Sequence, residues 1–323
     1  MSKHIYIYSP SGAVRDKAAL RRGVQRLRAM GHDVELDATA LSTHQRFAGD
    51  DATRLAAIGR AARSGADVAM ITRGGYGLTR ILPAIDYPAV ERALADGMQF
   101  VGLSDFTAFQ LAVLARLAGV TWAGPSVCEA LGGEDEPDEI MLACLDDLFQ
   151  GQGEGAGWRQ PREQLDLSGA HARYHAARVG DDASFLLKNR LLWGGNLSVL
   201  CALAGTPYCP DVEGGILFLE DVGEHPYRIE RMLSQLLWAG ILGRQKAIVL
   251  GQFTGYQLGP HDRGFNLGKV VNWLRSQLKV PVLCNLPFGH VPTKVLLPVG
   301  AQVDLLVQGR DALLAWGHTP ASH

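Results

Sequence analysis

The sequence has no uninterrupted apolar run long enough to cross a membrane. A transmembrane helix needs about 20 mainly apolar residues, and even the stretch FQLAVLARLAG is broken by Arg116. The N-terminal segment MSKHIYIYSPSG has only four apolar residues in a row before Ser9 and Pro10, too few for the core of a signal peptide. We therefore expect a cytoplasmic protein that does not bind membranes.

An excess of charge of one sign is also lacking. The chain has 31 basic and 33 acidic residues, a formal net charge of -2, and no long basic run. This balance gives no sign of a nucleic-acid partner. Hydrophobic residues make up 47% and charged residues 20%, as in ordinary globular proteins. At 323 residues the chain is longer than a domain with a single hydrophobic core usually is, which predicts two domains.

Metal-binding and redox motifs are missing as well. The five cysteines are widely scattered and include no CxxC pair, and the ten histidines include no HExxH or HxH motif. We therefore predict no metal and no cofactor. The cysteines are interpreted as small buried hydrophobic residues, with a reactive thiol as the weaker alternative.

What the sequence does contain is an alternation of short apolar segments and amphipathic helices, which is typical of α/β proteins. We predict an N-terminal α/β domain over 1–150, with a parallel sheet, helices on both faces and the candidate Ser104 described next. The Gly-rich, polar stretch that begins GQGEGAGWRQPREQ predicts a linker over 151–175. The rest, 176–323, is predicted to be a smaller α/β domain, rich in strand, with its own core.

The stretch FVGLSDFTAF places Ser104 between an apolar strand and an apolar helix. One interpretation is a helix N-cap, because Ser and Asp accept hydrogen bonds from the first helical turn. The other is a nucleophile on a tight turn, where the same N–H groups would stabilise an oxyanion. The turn has Gly102 but not the second glycine of the GxSxG motif, which argues against an α/β-hydrolase.

The segment RGGYG, Arg73 to Gly77, follows the preceding strand and so lies near Ser104. It matches neither GxGxxG nor GxxxxGK[ST], so a nucleotide-phosphate loop is only weakly indicated. Two other interpretations remain. The glycines could serve a turn that needs positive φ, or their backbone N–H groups could face Ser104 as part of an oxyanion hole.

Glu220, Asp221 and Glu224 occur close together in ILFLEDVGEHPYRIE. Glu224 beside a predicted helix start is interpreted as a dipole or cap partner. Glu220 ends the strand, where alternation places it on the same side as Ile216 and Phe218, and Asp221 on the other. In LCNLPFGHVPTK, His290 follows a strand and a glycine, and without a metal site it is either a structural loop histidine or a base.

Taken together, these motifs resemble the LD-carboxypeptidases, the bacterial muramoyltetrapeptide carboxypeptidases. The resemblance runs from YSPSG to the C-terminal strands and rests on RGGYG, RxLPxIDY, VGLSDFTA, AGPS, LLWGGNL, ILFLEDVGEHPYRIERML and FGH, in that order. It implies that Ser104 is the nucleophile, Glu220 the residue that orients the base, and His290 the base. The implied chemistry is acyl transfer by a Ser-His-Glu triad.

Further roles follow from this triad. The oxyanion donors are expected to be the N–H groups of Asp105 and Gly75, with the Asp105 carboxylate capping the helix. A carboxypeptidase must also bind a free carboxylate, for which Arg73, Gly74 and Tyr76 of RGGYG are the candidates. In LLWGGNL, Trp193 and Asn196 are placed along the peptide, with core packing as the alternative for Trp193.

The resemblance implies removal of the terminal D-alanine from cytoplasmic murein tetrapeptides, at the bond to the L-centre of a diamino acid, during peptidoglycan recycling. It also implies a homodimer. One alternative is a microcin-immunity type of serine peptidase that acts on aminoacyl-nucleotides and would share the triad. The other is a non-catalytic two-domain ligand-binding protein.

Overall fold

The computed structural model describes residues 2–161 and 184–317, which build two sheets. The first sheet has the spatial order β11 (Leu297–Val299), β5 (Thr121–Ala123), β4 (Gln99–Gly102), β3 (Val68–Ile71), β1 (His4–Tyr8) and β2 (Asp33–Leu36). The pairs from β5 to β2 are parallel, whereas β11 is antiparallel to β5. Because β3 and β4 are neighbours, the loops that follow them lie side by side, as predicted.

Helices cover both faces of this sheet, which confirms the predicted fold class. One face packs against α1 (Lys17–Ala29) and α5 (Glu139–Gln150), the other against α2 (Asp51–Ala62), α3 (Tyr87–Ala95) and α4 (Thr107–Leu117). Four of these helices begin at an aspartate cap that accepts backbone N–H groups of the first turn: Asp16, Asp50, Asp86 and Asp138. No helix in the described ranges is both long and apolar enough to span a bilayer.

The second sheet has the order β10 (Val282–Leu283), β9 (Ala247–Thr254), β8 (Ile216–Val222), β7 (Ser184–Asn196), β12 (Gln302–Gln308), β13 (Asp311–Ala315) and β6 (Gly155–Arg159). Strands β10 to β7 are parallel, and β12, β13 and β6 extend the sheet in antiparallel fashion. Its helices are α6 (Leu197–Leu203), α7 (Pro226–Trp238) and α8 (Leu267–Gln277).

Part of the predicted linker over 151–175 is a strand. β6 pairs with β13 at the edge of the second sheet, and its alternating pattern buries Ala156 and Trp158. The indole N–H of Trp158 also donates to the carbonyl of Cys284 at 3.0 Å. The linker was predicted from the high glycine content of this stretch, and composition does not reveal such an alternation. Residues 162–175 lie outside the described ranges.

The two halves do not have separate cores. Every residue from Thr107 to Leu114 in α4 is buried, so the helix must pack on both sides. It joins side chains of the first sheet to those of β7 and α6 in one continuous apolar cluster. The two sheets confirm the predicted two-part architecture, but the second half shares this apolar cluster with the first rather than having a separate core. In addition, β11 returns to the first sheet from the second half of the chain.

Candidate active site

Ser104 lies in a strained turn between β4 and α4. The backbone after Gly102 turns sharply through a short 3-10 segment, Ser104–Phe106, and Ser104 has a left-handed φ of 68°. A Cβ on Gly102 would lie 2.5 Å from the ring of Phe106, so the turn requires glycine there. A left-handed non-glycine residue costs of order 1–3 kcal/mol, and such strain clusters at functional sites. A strained strand-to-helix turn is how α/β-hydrolases present a nucleophile.

The N-cap interpretation of Ser104 was wrong. Neither the 3-10 segment nor α4 is capped by a side chain. Within residues 2–161 and 184–317, the Ser104 hydroxyl makes no hydrogen bond, either to a backbone group or to His290. Catalytic hydrogen bonds are often long in the free enzyme and tighten when substrate binds. The hydroxyl is therefore available to a reactant.

Asp105 does not cap α4 as predicted. Its buried carboxylate faces away from its own helix and accepts hydrogen bonds from the Ser11 hydroxyl at 2.5 Å and the Leu78 N–H at 2.9 Å. Burial raises the pKa of Asp105, and these two bonds and the charge of Arg54 lower it in part. The side chain thus ties the loops after β1 and β3 to the Ser104 turn.

The RGGYG backbone lies against Ser104. A Cβ on Gly74 would come within 2.7 Å of the Ser104 Cβ, so only glycine allows this approach. Gly75 and Gly77 have positive φ values of 117° and 148°. The N–H of Gly12 donates to the Gly74 carbonyl at 3.2 Å. The glycines thus serve both a positive-φ turn and close contact with Ser104, and their oxyanion role stays a prediction.

The side chains of Arg73 and Tyr76 point in different directions. Arg73 is only 13% exposed and pairs with Glu129 at 3.5 Å, so its charge is already compensated. Tyr76 is 43% exposed and lies 5.9 Å from the ring of Phe47. Of the two, only Tyr76 presents a large free surface.

Glu220, in β8, and His290, on the segment between β10 and β11, form a hydrogen-bonded pair. His290 Nδ1 lies 2.7 Å from Oε2 of the fully buried Glu220. Because the carboxylate only accepts, Nδ1 carries the proton and Nε2 keeps its lone pair. Burial lowers the pKa of His290, but the hydrogen bond and charge of Glu220 outweigh it, so the net pKa is raised. Gly289, with φ of 135°, allows the contact, since a Cβ there would lie 3.1 Å from Glu220 Oε2.

Asn196 holds the acid rather than lining a cleft. It is buried, and its amide donates to Glu220 Oε1 at 3.1 Å and to Asp221 Oδ1 at 3.0 Å, while its carbonyl oxygen accepts the Val199 N–H. The register between β8 and β9 shifts between Leu219 and Asp221. This bulge re-aims the end of the strand, so that both acids are buried. Both N–H groups of the Asn196 amide are therefore already committed to the two acids.

Asp221 and Trp193 also have structural partners. The second carboxylate oxygen of Asp221 accepts both the backbone N–H and the hydroxyl of Ser198. Trp193 is only 1% exposed, and its indole N–H donates to Gln245 at 3.0 Å. The placement of Trp193 along a peptide was therefore wrong, and the core-packing alternative is what the structure has.

A hydrogen bond connects the Ser104 turn to the Glu220 pair. The Thr107 hydroxyl, one turn after Ser104, accepts the N–H of Asn196 at 3.0 Å. A Cβ on Gly195 would lie 2.5 Å from the same hydroxyl, so glycine is needed for this approach. Asn196 in turn binds Glu220, which binds His290. The three predicted triad residues are thus joined across the two sheets.

Sequence reasoning missed Ser11, Thr107 and Lys294. Ser11 and Thr107 position the Ser104 turn, as described above. Lys294 is buried four residues after His290. Its signal was a lysine, with no arginine or acidic residue nearby, in the mainly apolar stretch LCNLPFGHVPTKVLLPVG. Among the described residues, no three His, Cys, Asp or Glu side chains are grouped to hold a metal ion.

Comparison with known proteins identifies the family. Residues 5–124 match the LD-carboxypeptidase N-terminal domain, and residues 191–305 match the LD-carboxypeptidase C-terminal domain. The crystal structure of muramoyltetrapeptide carboxypeptidase from Oxalobacter formigenes is 35% identical, with a TM-score of 0.83 over 98% of this chain and 99% of that one. Murein tetrapeptide carboxypeptidase of Pseudomonas aeruginosa is 29% identical over 75% of this chain and 70% of its own length.

A further structure shares the fold alone. Microcin C7 self immunity protein MccF, in its wild-type apo state, superposes with a TM-score of 0.83 over 99% of this chain and 97% of its own, at 20% identity. With two matching domains and a relative 35% identical over nearly its whole length, this chain belongs to the LD-carboxypeptidase family of serine peptidases.

Proposed function

We propose that this enzyme removes the terminal D-alanine from murein tetrapeptides by a Ser-His-Glu acyl-enzyme mechanism. The observation that carries the proposal is the hydrogen bond from His290 Nδ1 to Glu220, in an arrangement joined to the strained Ser104 turn. The names of the relatives from Oxalobacter formigenes and Pseudomonas aeruginosa support the substrate class. We place the reaction in the cytoplasm, in peptidoglycan recycling, and expect a homodimer, as the resemblance implies.

In the first half-reaction, His290 Nε2 takes the proton from the Ser104 hydroxyl as its oxygen attacks the scissile carbonyl carbon. The tetrahedral intermediate collapses as His290 returns the proton to the leaving nitrogen, and free D-alanine departs. Glu220 keeps the imidazole in the tautomer required for both transfers. Water, activated by the same histidine, then releases the shortened peptide from Ser104.

The negative charge of the intermediate develops on the carbonyl oxygen. The N–H of Asp105 follows the nucleophile in the first turn of a helical segment, where backbone donors have no intrahelical acceptor. The backbone of Gly75 belongs to the loop whose preceding glycine touches Ser104. We assign these two N–H groups to the oxyanion hole. Removing one such donor typically costs about 10²- to 10³-fold in kcat.

The decisive experiment is incubation with purified murein tetrapeptide and mass spectrometry of the products. We expect a tripeptide and free D-alanine in equal amounts, and no cleavage of the same peptide ending in L-alanine. An intact tetrapeptide after prolonged incubation with folded enzyme would reject the proposed substrate.

Ser104→Ala is the matched control for this assay. It removes a hydroxyl that has no hydrogen-bond partner among the described residues, so the fold should remain, as checked by circular dichroism. Turnover should fall to a residual rate about 10³- to 10⁴-fold above that of the uncatalysed reaction in water, because substrate binding and the oxyanion hole remain. Turnover near that of the unaltered enzyme would contradict the assignment of Ser104 as nucleophile.

The aminoacyl-nucleotide peptidase remains the rival, because it would use the same triad. The same assay separates the two activities when an aminoacyl-nucleotide replaces the peptide. Cleavage of the nucleotide conjugate without cleavage of the tetrapeptide would favour the rival.

A further inference from the structure

Lys294 lies at the junction of the two sheets, beside the candidate triad. The chain leaves the second sheet after β10 and re-enters the first sheet at β11, so Lys294 lies on the segment that joins them. Its neighbour Thr293 donates to Asp138, the cap of α5, at 2.5 Å. Lys294 also interacts electrostatically with two members of the candidate triad. The Lys294 ammonium lowers the pKa of His290, and the Glu220 carboxylate raises the pKa of Lys294.

Lys294 is a buried residue whose ammonium group has no ion-pair partner in the part of the chain that the structure describes. The residue is only 5% exposed. Within the described ranges, Lys294 has no hydrogen bond and no carboxylate oxygen within 4.0 Å. Burial lowers the pKa of Lys294, and the more distant charges of Glu129, Glu220 and Asp138 offset this only in part. A buried charge that lacks a direct partner is costly and favours binding of an anion.

Each of these three neighbouring carboxylates is already hydrogen-bonded elsewhere. Glu129 pairs with Arg73 at 3.5 Å and accepts from the Ser126 hydroxyl. The Glu220 carboxylate binds His290 and Asn196. The Asp138 carboxylate binds the Thr293 hydroxyl and the first turn of α5. Arg73, the carboxylate-binding residue expected from sequence, therefore already has an ion-pair partner, whereas Lys294 has none within residues 2–161 and 184–317.

We propose that Lys294 binds the free carboxylate of the residue that the enzyme releases. The inference rests on the proposed carboxypeptidase activity. In an α-amino acid, only the Cα separates the carboxylate from the nitrogen. His290 must protonate that nitrogen, so the cation that binds the carboxylate has to lie near His290. Lys294 meets this requirement. Its ammonium group has no ion-pair partner among the described residues, so it can pair with the carboxylate of the substrate.

Binding measured without turnover tests this assignment. In the Ser104→Ala background, calorimetry compares a murein tetrapeptide ending in free D-alanine with the same peptide ending in D-alanine carboxamide. Because a hydrogen bond to a charged group contributes about 1.5–3 kcal/mol, the acid should bind about 10- to 100-fold more tightly than the amide. Adding Lys294→Met should remove this preference by weakening the acid alone.

Lys279→Met, at an exposed lysine on the loop between α8 and β10, is the matched control and should keep the preference. Circular dichroism checks the fold of both variants. An acid-to-amide preference that survives Lys294→Met would overturn the assignment, as would equal weakening of both peptides. Binding of neither peptide by the Ser104→Ala variant would also overturn it.

The outcome for Lys294 is separable from that for the proposed function. If the unaltered enzyme leaves the tetrapeptide intact while the Lys294-dependent preference is present, the carboxylate site stands and the hydrolysis proposal fails. If the enzyme releases D-alanine and the preference does not depend on Lys294, only the inference about Lys294 fails.

Discussion

At the residue scale, the geometry distinguishes two adjacent acids that composition cannot. Glu220 contacts His290, whereas Asp221 contacts Asn196 and Ser198. Strand alternation predicts that only one of the two faces the imidazole, and the bulge in β8 leaves both buried. The two residues should therefore respond very differently to the same carboxylate-to-amide change.

Glu220→Gln should lower kcat by about 10⁴-fold, the magnitude known for the equivalent aspartate-to-asparagine change in serine proteases, because the amide can select the wrong imidazole tautomer. Asp221→Asn should cost far less, about tenfold, because Asp221 acts on the acid only through Asn196. Both are measured on the same tetrapeptide with the fold checked by circular dichroism. A crippled Asp221→Asn beside an active Glu220→Gln would reverse the assignment.

The raised pKa of His290 predicts the pH dependence. A base must be unprotonated to accept the proton of Ser104, so kcat/KM should fall as the pH drops through the pKa of His290. Since Glu220 raises this pKa, the midpoint of the acid limb should lie above the ordinary histidine value of about 6.5. In Glu220→Gln, burial remains but the charge is lost, so the limb should move to lower pH. An unchanged midpoint would show that His290 does not govern this limb.

At the element scale, Asp105 joins three segments of the first sheet. Its carboxylate receives Ser11 from the loop after β1 and Leu78 from the loop after β3, while its own backbone follows Ser104. Arg54 adds a second tie, since its guanidinium donates to the Gly77 carbonyl at 2.7 Å. The RGGYG loop is thus held by side chains far apart in sequence.

Asp105→Ala should lower the free energy of unfolding by about 2–4 kcal/mol, because it leaves a buried hydroxyl and a buried N–H without an acceptor. Asp105→Asn keeps one acceptor oxygen in place and should lose less than about 1 kcal/mol. Urea denaturation measures both. If the asparagine variant were as unstable as the alanine variant, the charge rather than hydrogen-bond acceptance would be what the loops require.

At the scale of the whole molecule, the candidate site is assembled from both sheets around a shared core. Ser104 follows β4, Glu220 belongs to β8, and His290 lies on the segment that leads to β11. The apolar cluster around α4 is continuous between the sheets, which fixes these three residues relative to one another.

Treatment with a chelator such as EDTA should leave kcat/KM unchanged, whereas a covalent serine reagent should abolish activity. The serine reagent should label Ser104, as identified by mass spectrometry of the digested protein, and should not label Ser104→Ala. Strong inhibition by the chelator that zinc reverses would contradict the serine mechanism.

Local sequence was sufficient to predict most of the elements and to name the candidate triad residues. Alternation, helical periodicity and capping aspartates predict the strands and helices of the first sheet, because these patterns depend on neighbouring residues alone. The motifs around Ser104, Glu220 and His290 single out those residues by short, local signals. The glycines of RGGYG likewise indicate a turn with positive φ, which the structure has at Gly75 and Gly77.

Only the tertiary structure decided which side chains share a contact. Asp105 binds Ser11 across 94 positions of the chain, and Thr107 receives Asn196 across 89. Trp193 and Asn196 are buried by packing that no local pattern encodes. The same holds for Lys294, which has no ion-pair partner among the described residues because the three neighbouring carboxylates bind other groups. Burial and pairing depend on the packing of distant segments, whereas propensity and periodicity depend on adjacent residues.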